Sequence, residues 1–207
     1  MSAENIIITN KIKEEQKHEV AKLYFQAFLK KFIYLWVLTC NEEKATIVLR
    51  RSIQYEKGLY AINNNKLVGF VGLEKGDGYF APLTFSSFSE AFGFIGATWR
   101  FTAYGIYRLF HGGMKKDVVH IDPIVVSSEA RGLGIGTKLL DAVFEYSKRL
   151  NKNRVVLEVV DTNPKAKKLY ERMGFQVVNE ENISFLTQRA GFKYIINMEK
   201  VLPDKAL

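Results

Sequence analysis

Apolar positions follow two periods along this chain, and the change from one to the other marks its elements. "ENIIITN", from Glu4, is a short apolar run that reads as a first strand. From Lys13 to Leu29 the apolar residues Val20, Leu23, Tyr24, Ala27 and Phe28 keep helical spacing, and a second helical segment runs from Glu42 to about Tyr55. "GLYAINNNKLVGFVGLEK", starting at Gly58, reads as a hairpin: an apolar strand, an Asn-rich turn, and a strand rich in Val, Leu and Phe. The stretch 76–117 is crowded with aromatics and short of charge. Its pattern predicts a helix from about Ser89 to Phe110, bounded by Gly112 and Gly113. This insertion is either extra core packing or a cover over a substrate. Beyond it come the strand "VVHIDPIVV", a glycine-rich loop with a helix to about Leu150, and the strand "RVVLEVV". A helix opened by "TNPKAKKLYERM", the strand "FQVV", a linking segment and a last strand "FKYIINMEK" complete the series. No internal repeat interrupts it. Strands and helices alternate in the second half, which predicts a mixed α/β sheet.

Composition narrows the class. With 207 residues, 47% hydrophobic and 25% charged, the chain has the make-up of an ordinary soluble globular protein and reads most simply as one domain, 1–207. One cysteine, Cys40, excludes an internal disulfide framework and a Cys-based zinc cluster, and it reads as a buried hydrophobe. His18, His111 and His120 are scattered without metal-ligand spacing. The expectation is a reduced, metal-free, cytoplasmic protein. "MSAENIIITN" lacks the apolar core of a signal peptide, and "FIYLWVL" falls short of the ~20 apolar residues a bilayer requires. Ala91 to Phe110 is long enough but carries Arg100 and Arg108, so no transmembrane segment is expected. The formal charge of +8 suits a polyanionic partner (nucleic acid, a membrane surface or a phosphorylated ligand) or simply a solvated lysine-rich surface.

The candidate chemistry starts at "EARGLGIGTKLLDAVFEYSKR", Glu129 to Arg149, where Gly132, Gly134 and Gly136 alternate ahead of a helix. Glycine loops that open helices cradle anions, because bare backbone admits the ligand and the helix end offers amide donors. A nucleotide P-loop ends Gly-Lys-Ser/Thr, whereas Gly136-Thr137-Lys138 has its lysine one position late. The dinucleotide fingerprint needs a glycine where Thr137 stands. Both readings fail. Leu139, Leu140, Val143, Phe144 and Leu150 give the following helix its core face.

The downstream pattern adds identity. Arg131-x-x-Gly134-x-Gly136 followed by "EVVDTNPKAKKLYERMGF" resembles the GCN5-related N-acetyltransferase (GNAT) superfamily. The matching residues are the loop Arg131 to Gly136, then Asn163, Ala166, Leu169-Tyr170, Glu171 and Gly174-Phe175, with the strong likeness confined to about Val118–Val178. The resemblance implies a mixed, mostly antiparallel central sheet flanked by helices, here with the aromatic-rich helical insertion ahead of the cofactor-binding strand. It implies that Arg131, Gly132, Leu133, Gly134, Ile135 and Gly136 hold the pyrophosphate of acetyl-CoA through backbone amides, with Thr137 adding contacts. Ile124, Val125 and Val126 would hydrogen-bond the pantetheine arm. Arg131 either pairs with a phosphate or serves only the loop. Asn163 is a helix cap ahead of Pro164, and in the family it also contacts pantetheine. Tyr170 is either a packed core aromatic or, as the family implies, the acid that protonates the departing thiolate.

The family commonly sets a carboxylate base on the strand before the loop. The aligned residue is His120, with Asp122 two positions on and so on the same strand face unless Pro123 bends the strand. This departure leaves the base open among His120, Asp122, Glu158 and water. The implied reaction is direct attack of a primary amine on acetyl-CoA in a ternary complex, without a metal and without an acyl-enzyme. The acceptor is a small-molecule or peptide amine. The alternative is a non-catalytic acyl-CoA sensor on the same fold, favoured by the missing strand Glu. Nucleic-acid binding through Lys148, Arg149, Lys152 and Arg154 with Lys165, Lys167 and Lys168 is a third and weaker reading, since these groups suit the anionic ADP end of CoA. The insertion is a lid, an acceptor pocket or a homodimer interface.

Overall fold

The computed structural model describes residues 5–76, 78–109 and 117–203. Seven strands form one sheet: β1 Ile6–Thr9, β2 Gly58–Asn63, β3 Lys66–Glu74, β4 Val119–Val126, β5 Arg154–Val160, β6 Gln176–Asn182 and β7 Tyr194–Val201. Their order is β1-β2-β3-β4-β5-β7-β6, and every neighbouring pair is antiparallel except β4 with β5. The mixed, mostly antiparallel sheet expected from the sequence is present.

Helices cover both faces. On one, α5 (Ile135–Arg149) and α6 (Pro164–Arg172) pack over the sheet, with Leu139, Leu140 and Val143 wholly buried against Val71, Val119 and Leu157. On the other, α1 (Glu14–Ala27), α3 (Glu42–Ser52) and α4 (Phe85–Leu109) enclose Phe70, Phe80 and Phe88. Each buried side chain of that size contributes roughly 1.5–3 kcal/mol, so both layers are held by apolar contact between helix and sheet. A short α2 (Leu29–Lys31) runs into a π-helical turn, Phe32–Trp36. Its ring cluster explains "FIYLWVL": Phe32 meets Trp36 edge-on at 5.0 Å and Tyr24 at 5.5 Å.

Some boundaries differ from the sequence reading. The second helix stops at Ser52 because Ile53 turns extended, while Asn41 caps its start by accepting from the Lys44 amide. The insertion helix begins at Phe85, since Thr84 and Ser87 hydroxyls satisfy its first turn, and it breaks at Gly93, whose φ is 68°. Phe110, Gly112 and Gly113 lie outside the described residues. The strand "FQVV" extends to Asn182, and the linking segment folds into α7 (Ser184–Thr187) and a 3-10 turn. Cys40 is exposed, not a buried hydrophobe: it follows the π-helical turn on the chain leading to Asn41, where no layer covers it. Among the described residues, no helix is long and apolar enough to cross a membrane.

One topological detail positions the site. The parallel β4–β5 pairing runs from Val119 opposite Val155 to Ile121 opposite Leu157. Beyond that point β4 stays with β3 as far as Val126, and β5 stays with β7 as far as Val160. The two strands part, and a gap opens in mid-sheet.

Candidate active site

The glycine loop leaves β4 through a 3-10 turn, Ser128–Ala130, and enters α5 at Ile135. Gly132 and Gly134 take φ values of 83° and 73°, in the left-handed region open to glycine, and a side chain on either would meet nothing within 4 Å. The space over the loop is therefore clear. The first backbone bond of α5 runs from the Lys138 amide to the Gly134 carbonyl, so the amides of Ile135, Gly136 and Thr137 have no intrahelical acceptor. Open backbone and orphan amides on a positive helix end make an anion cradle. Gly136 does something else: a Cβ there would stand 2.8 Å from Leu169 Cδ2, so this glycine lets α5 close onto α6. Arg131 is exposed, Leu133 packs against the core and Ile135 is buried.

Helix α6 carries the next two residues. The Asn163 side chain accepts from the Ala166 amide at 3.2 Å and Pro164 starts the helix, which is the capping arrangement read from the sequence. Tyr170 is buried, with its ring 6.0 Å from that of Phe175, so it belongs to the core packing. It also lines the gap. Burial pushes its phenol well above the ordinary value, which keeps the hydroxyl protonated at any physiological pH.

The parted strands open into a cleft of about 310 Å³, and Asn163, Tyr170, His120, Asp122 and Glu158 all line it. Ile124 joins them, whereas Val125 turns into the α1–α3–α4 core and Val126 packs on the α5 face. The loop itself lies outside the cleft lining.

His120 has a partner that the sequence analysis did not single out. Register places Glu74, the last residue of β3, directly opposite it, with Glu74 Oε2 3.3 Å from His120 Nδ1. Glu74 is 5% exposed, and its other oxygen accepts from the Phe80 amide at 3.1 Å. Burial alone would lower the His120 pKa. The hydrogen bond to Glu74 and the charges of Asp122 and Glu158 outweigh it and raise the value to about 8. Asp122 is also raised, by desolvation within the cleft and by Glu74, against the lowering effect of His120. The one visible signal for Glu74 was a lone carboxylate closing an otherwise apolar strand.

The opposite wall comes from elements far away in sequence. Trp36 and Lys31 reach it from the π-helical turn and α2, Tyr79 from the segment after β3, and Tyr104, Tyr107 and Arg108 from α4. The insertion helix thus walls the cleft with one face, while Ile95, Trp99, Ile106 and Leu109 on the other remain exposed. Among the described residues, no group of three or more His, Cys, Asp or Glu is arranged to hold a metal ion.

This architecture recurs among solved structures. An N-acetyltransferase from Staphylococcus aureus Mu50 superposes with a TM-score of 0.64 at 18% identity, covering 93% of this chain and 99% of that one. Ard1 from Thermoplasma volcanium gives 0.60 at 14% identity, covering 97% and 99%. At such identities the likeness establishes the fold. In sequence, a thialysine N-epsilon-acetyltransferase from Bos taurus is 32% identical over 77 residues, which is 37% of this chain and 45% of that protein. A spermine/spermidine N(1)-acetyltransferase from Bacillus subtilis (strain 168) is 31% identical over 81 residues, 39% of this chain and 53% of that protein. The matches span about half the length of these curated relatives. The model of the acetyltransferase (GNAT) family matches residues 18–175, which takes in the helical layer of α1 and α3, the parted strands, the glycine loop and α6; the chain belongs to that family.

Proposed function

We propose that this protein is an N-acetyltransferase that moves the acetyl group of acetyl-CoA to a primary amine by direct attack. The observation that carries the reading is the convergence, on the gap between β4 and β5, of a protonated phenol and a carboxylate-bound imidazole. The relatives named as acetyltransferases of spermine, spermidine and thialysine support an amine as acceptor.

Acetyl-CoA supplies the acyl carbon and a thiolate leaving group. The residues present suit it: the amides of Ile135, Gly136 and Thr137 and the open space over Gly132 and Gly134 fit a pyrophosphate. The edge of β4 that β5 leaves open beside the gap, at Ile124, fits an extended pantetheine arm. Glu74 fixes Nδ1 of His120, leaving Nε2 to take the proton that the amine nitrogen loses as its bond to the acyl carbon forms. Tyr170 gives a proton to the sulfur as the C–S bond breaks. Its raised pKa keeps it a donor, and its buried setting strengthens the hydrogen bond it offers a thiolate. The sensor alternative draws on the missing strand Glu, and Glu74 brings a carboxylate to that place from the neighbouring strand, which favours turnover.

Calorimetric titration with acetyl-CoA, with NADH and ATP as controls, tests the ligand. Saturable binding of acetyl-CoA alone, followed by amine-dependent CoA release, is the expected result. Well-folded protein that fails to bind acetyl-CoA would overturn the reading.

A further inference from the structure

The cleft contains two cations that acetyl transfer does not use. Lys31 lies with its ammonium 5.2 to 5.3 Å from the ring centres of Phe28, Trp36 and Phe192. Arg108 sets its guanidinium over the Tyr79 ring at 4.1 Å and faces the Tyr79 and Tyr104 phenols. Burial lowers the Lys31 pKa, and the fields of Asp122 and Glu158 oppose that; Glu74 acts on Arg108 through its field, and among the described residues neither group closes an ion pair with a carboxylate. Phenols are weak partners for a five-donor fork that matches a carboxylate with two parallel hydrogen bonds.

The acids have a different address. Glu74 is occupied by His120 and the Phe80 amide, and Glu181 by the amides of Asn179 and Asn197. That leaves Asp122 on β4 and Glu158 on β5 as the acids that the strands bring to the cleft, while Lys31 and Arg108 come to it from helices. Aromatic rings of Phe28, Trp36, Tyr79 and Tyr104 line the cleft on the same side as the two cations. The lining is divided by element: its acids are on the strands and its basic groups on the helices, beside aromatic rings.

Such a cavity selects against a polycation, because a second or third ammonium would be driven onto Lys31 and Arg108. A phosphate dianion would bring two charges close to Glu74 and Asp122, and the cleft, at about 310 Å³, sits at the small end of ligand sites. We propose that the acceptor is a compact amine carrying one carboxylate, with its amine directed to the strands and its carboxylate held by Arg108. This rests on the acetyltransferase reading and names the substrate class within it. Arg108 is the specificity residue and Lys31 adds field.

A matched pair tests it: 4-(aminomethyl)benzoate against benzylamine, with spermidine as the polycation, each followed by CoA release at saturating acetyl-CoA. The carboxylated amine is expected to win by on the order of tenfold or more in kcat/KM, the worth of a charge-assisted hydrogen bond. Arg108→Gln should collapse that ratio towards one, mainly through KM, and Arg108→Lys should restore only part of it, since it supplies charge without the fork. Preference for benzylamine or spermidine by the unaltered protein, or a ratio unmoved in Arg108→Gln, overturns the proposal. The same pair is titrated by calorimetry into protein without CoA. If none of the three amines releases CoA, acetyl transfer fails as a reading, and the calorimetric preference decides the subsite by itself: equal binding of the matched pair overturns it.

Discussion

The two sides of the cleft are built on opposite principles. The proposed cofactor side is local: β4, the loop beside the cleft, α5, β5 and α6 follow one another within Val119–Arg172, and the proposed anion cradle is main chain. The proposed acceptor side is assembled from Lys31, Glu74, Tyr79 and Arg108, which belong to separate elements on the helical layer and the far end of β3, and its chemistry is all side chain. A pyrophosphate can be held by amides that any sequence with the right glycines presents. An acceptor must be recognised by groups that only folding brings together. Substitutions on the two sides should therefore fail in different ways, and that contrast can be tested.

The largest effect is expected where the sides meet. Tyr170→Phe should lower kcat by ~10²–10⁴, the usual worth of a positioned acid, while acetyl-CoA affinity measured by calorimetry falls far less. Equal losses in both would return Tyr170 to the core packing and remove it from the chemistry. On the cofactor side, Gly134→Val forces a side chain into a backbone of φ 73° and projects it into the clear space over the loop. Backbone strain of roughly 1–2 kcal/mol and a weakening of acetyl-CoA binding by about tenfold or more are expected, read by thermal melting and titration.

On the acceptor side, Glu74→Gln keeps an oxygen for the Phe80 amide but removes the charge beside His120. The His120 pKa, followed by NMR, should fall from about 8 to near or below its ordinary value. Because the folded-state value lies above the unfolded one, the pair stabilises the protein fully below about pH 6.5, and that stability is lost as pH rises through 8. The variant should thus be less stable by about 1–2 kcal/mol at pH 6, with the difference gone by about pH 9. The acid limb of the rate profile should move down with the imidazole. A limb that stays in place would assign the base to Asp122 or to water. The smallest effect belongs to the local cap: Asn163→Ala should cost about 1 kcal/mol, or roughly 2–4 °C in melting temperature.

The same contrast explains what was legible. Gly132, Gly134, the Asn163-Pro164 cap and the buried face of α5 from Leu139 to Phe144 obey rules that operate within a few residues, so their positions could be read directly; Leu150, expected on that face, is exposed because the helix ends at Arg149. His120 and Asp122 were legible as a pair on one strand, because alternation is local too, and both line the cleft. Gly136 was legible as a glycine but not as a packing contact with Leu169, which depends on how α5 meets α6. Cys40 was misjudged because cysteine is usually buried and nothing in its neighbours shows that the chain there runs uncovered.

By itself the sequence determined the seven strands with the main helices between them, most of the buried face of α5, the glycine turn into that helix and the family, since periodicity, glycine torsion and capping act over one or two turns of chain. Only the tertiary structure decided that Glu74 holds His120 and that Lys31 and Arg108 line one cleft with Asp122 and Glu158. Strand register and helix packing set those meetings, and both are settled by which surfaces must be buried together, not by any stretch of sequence alone.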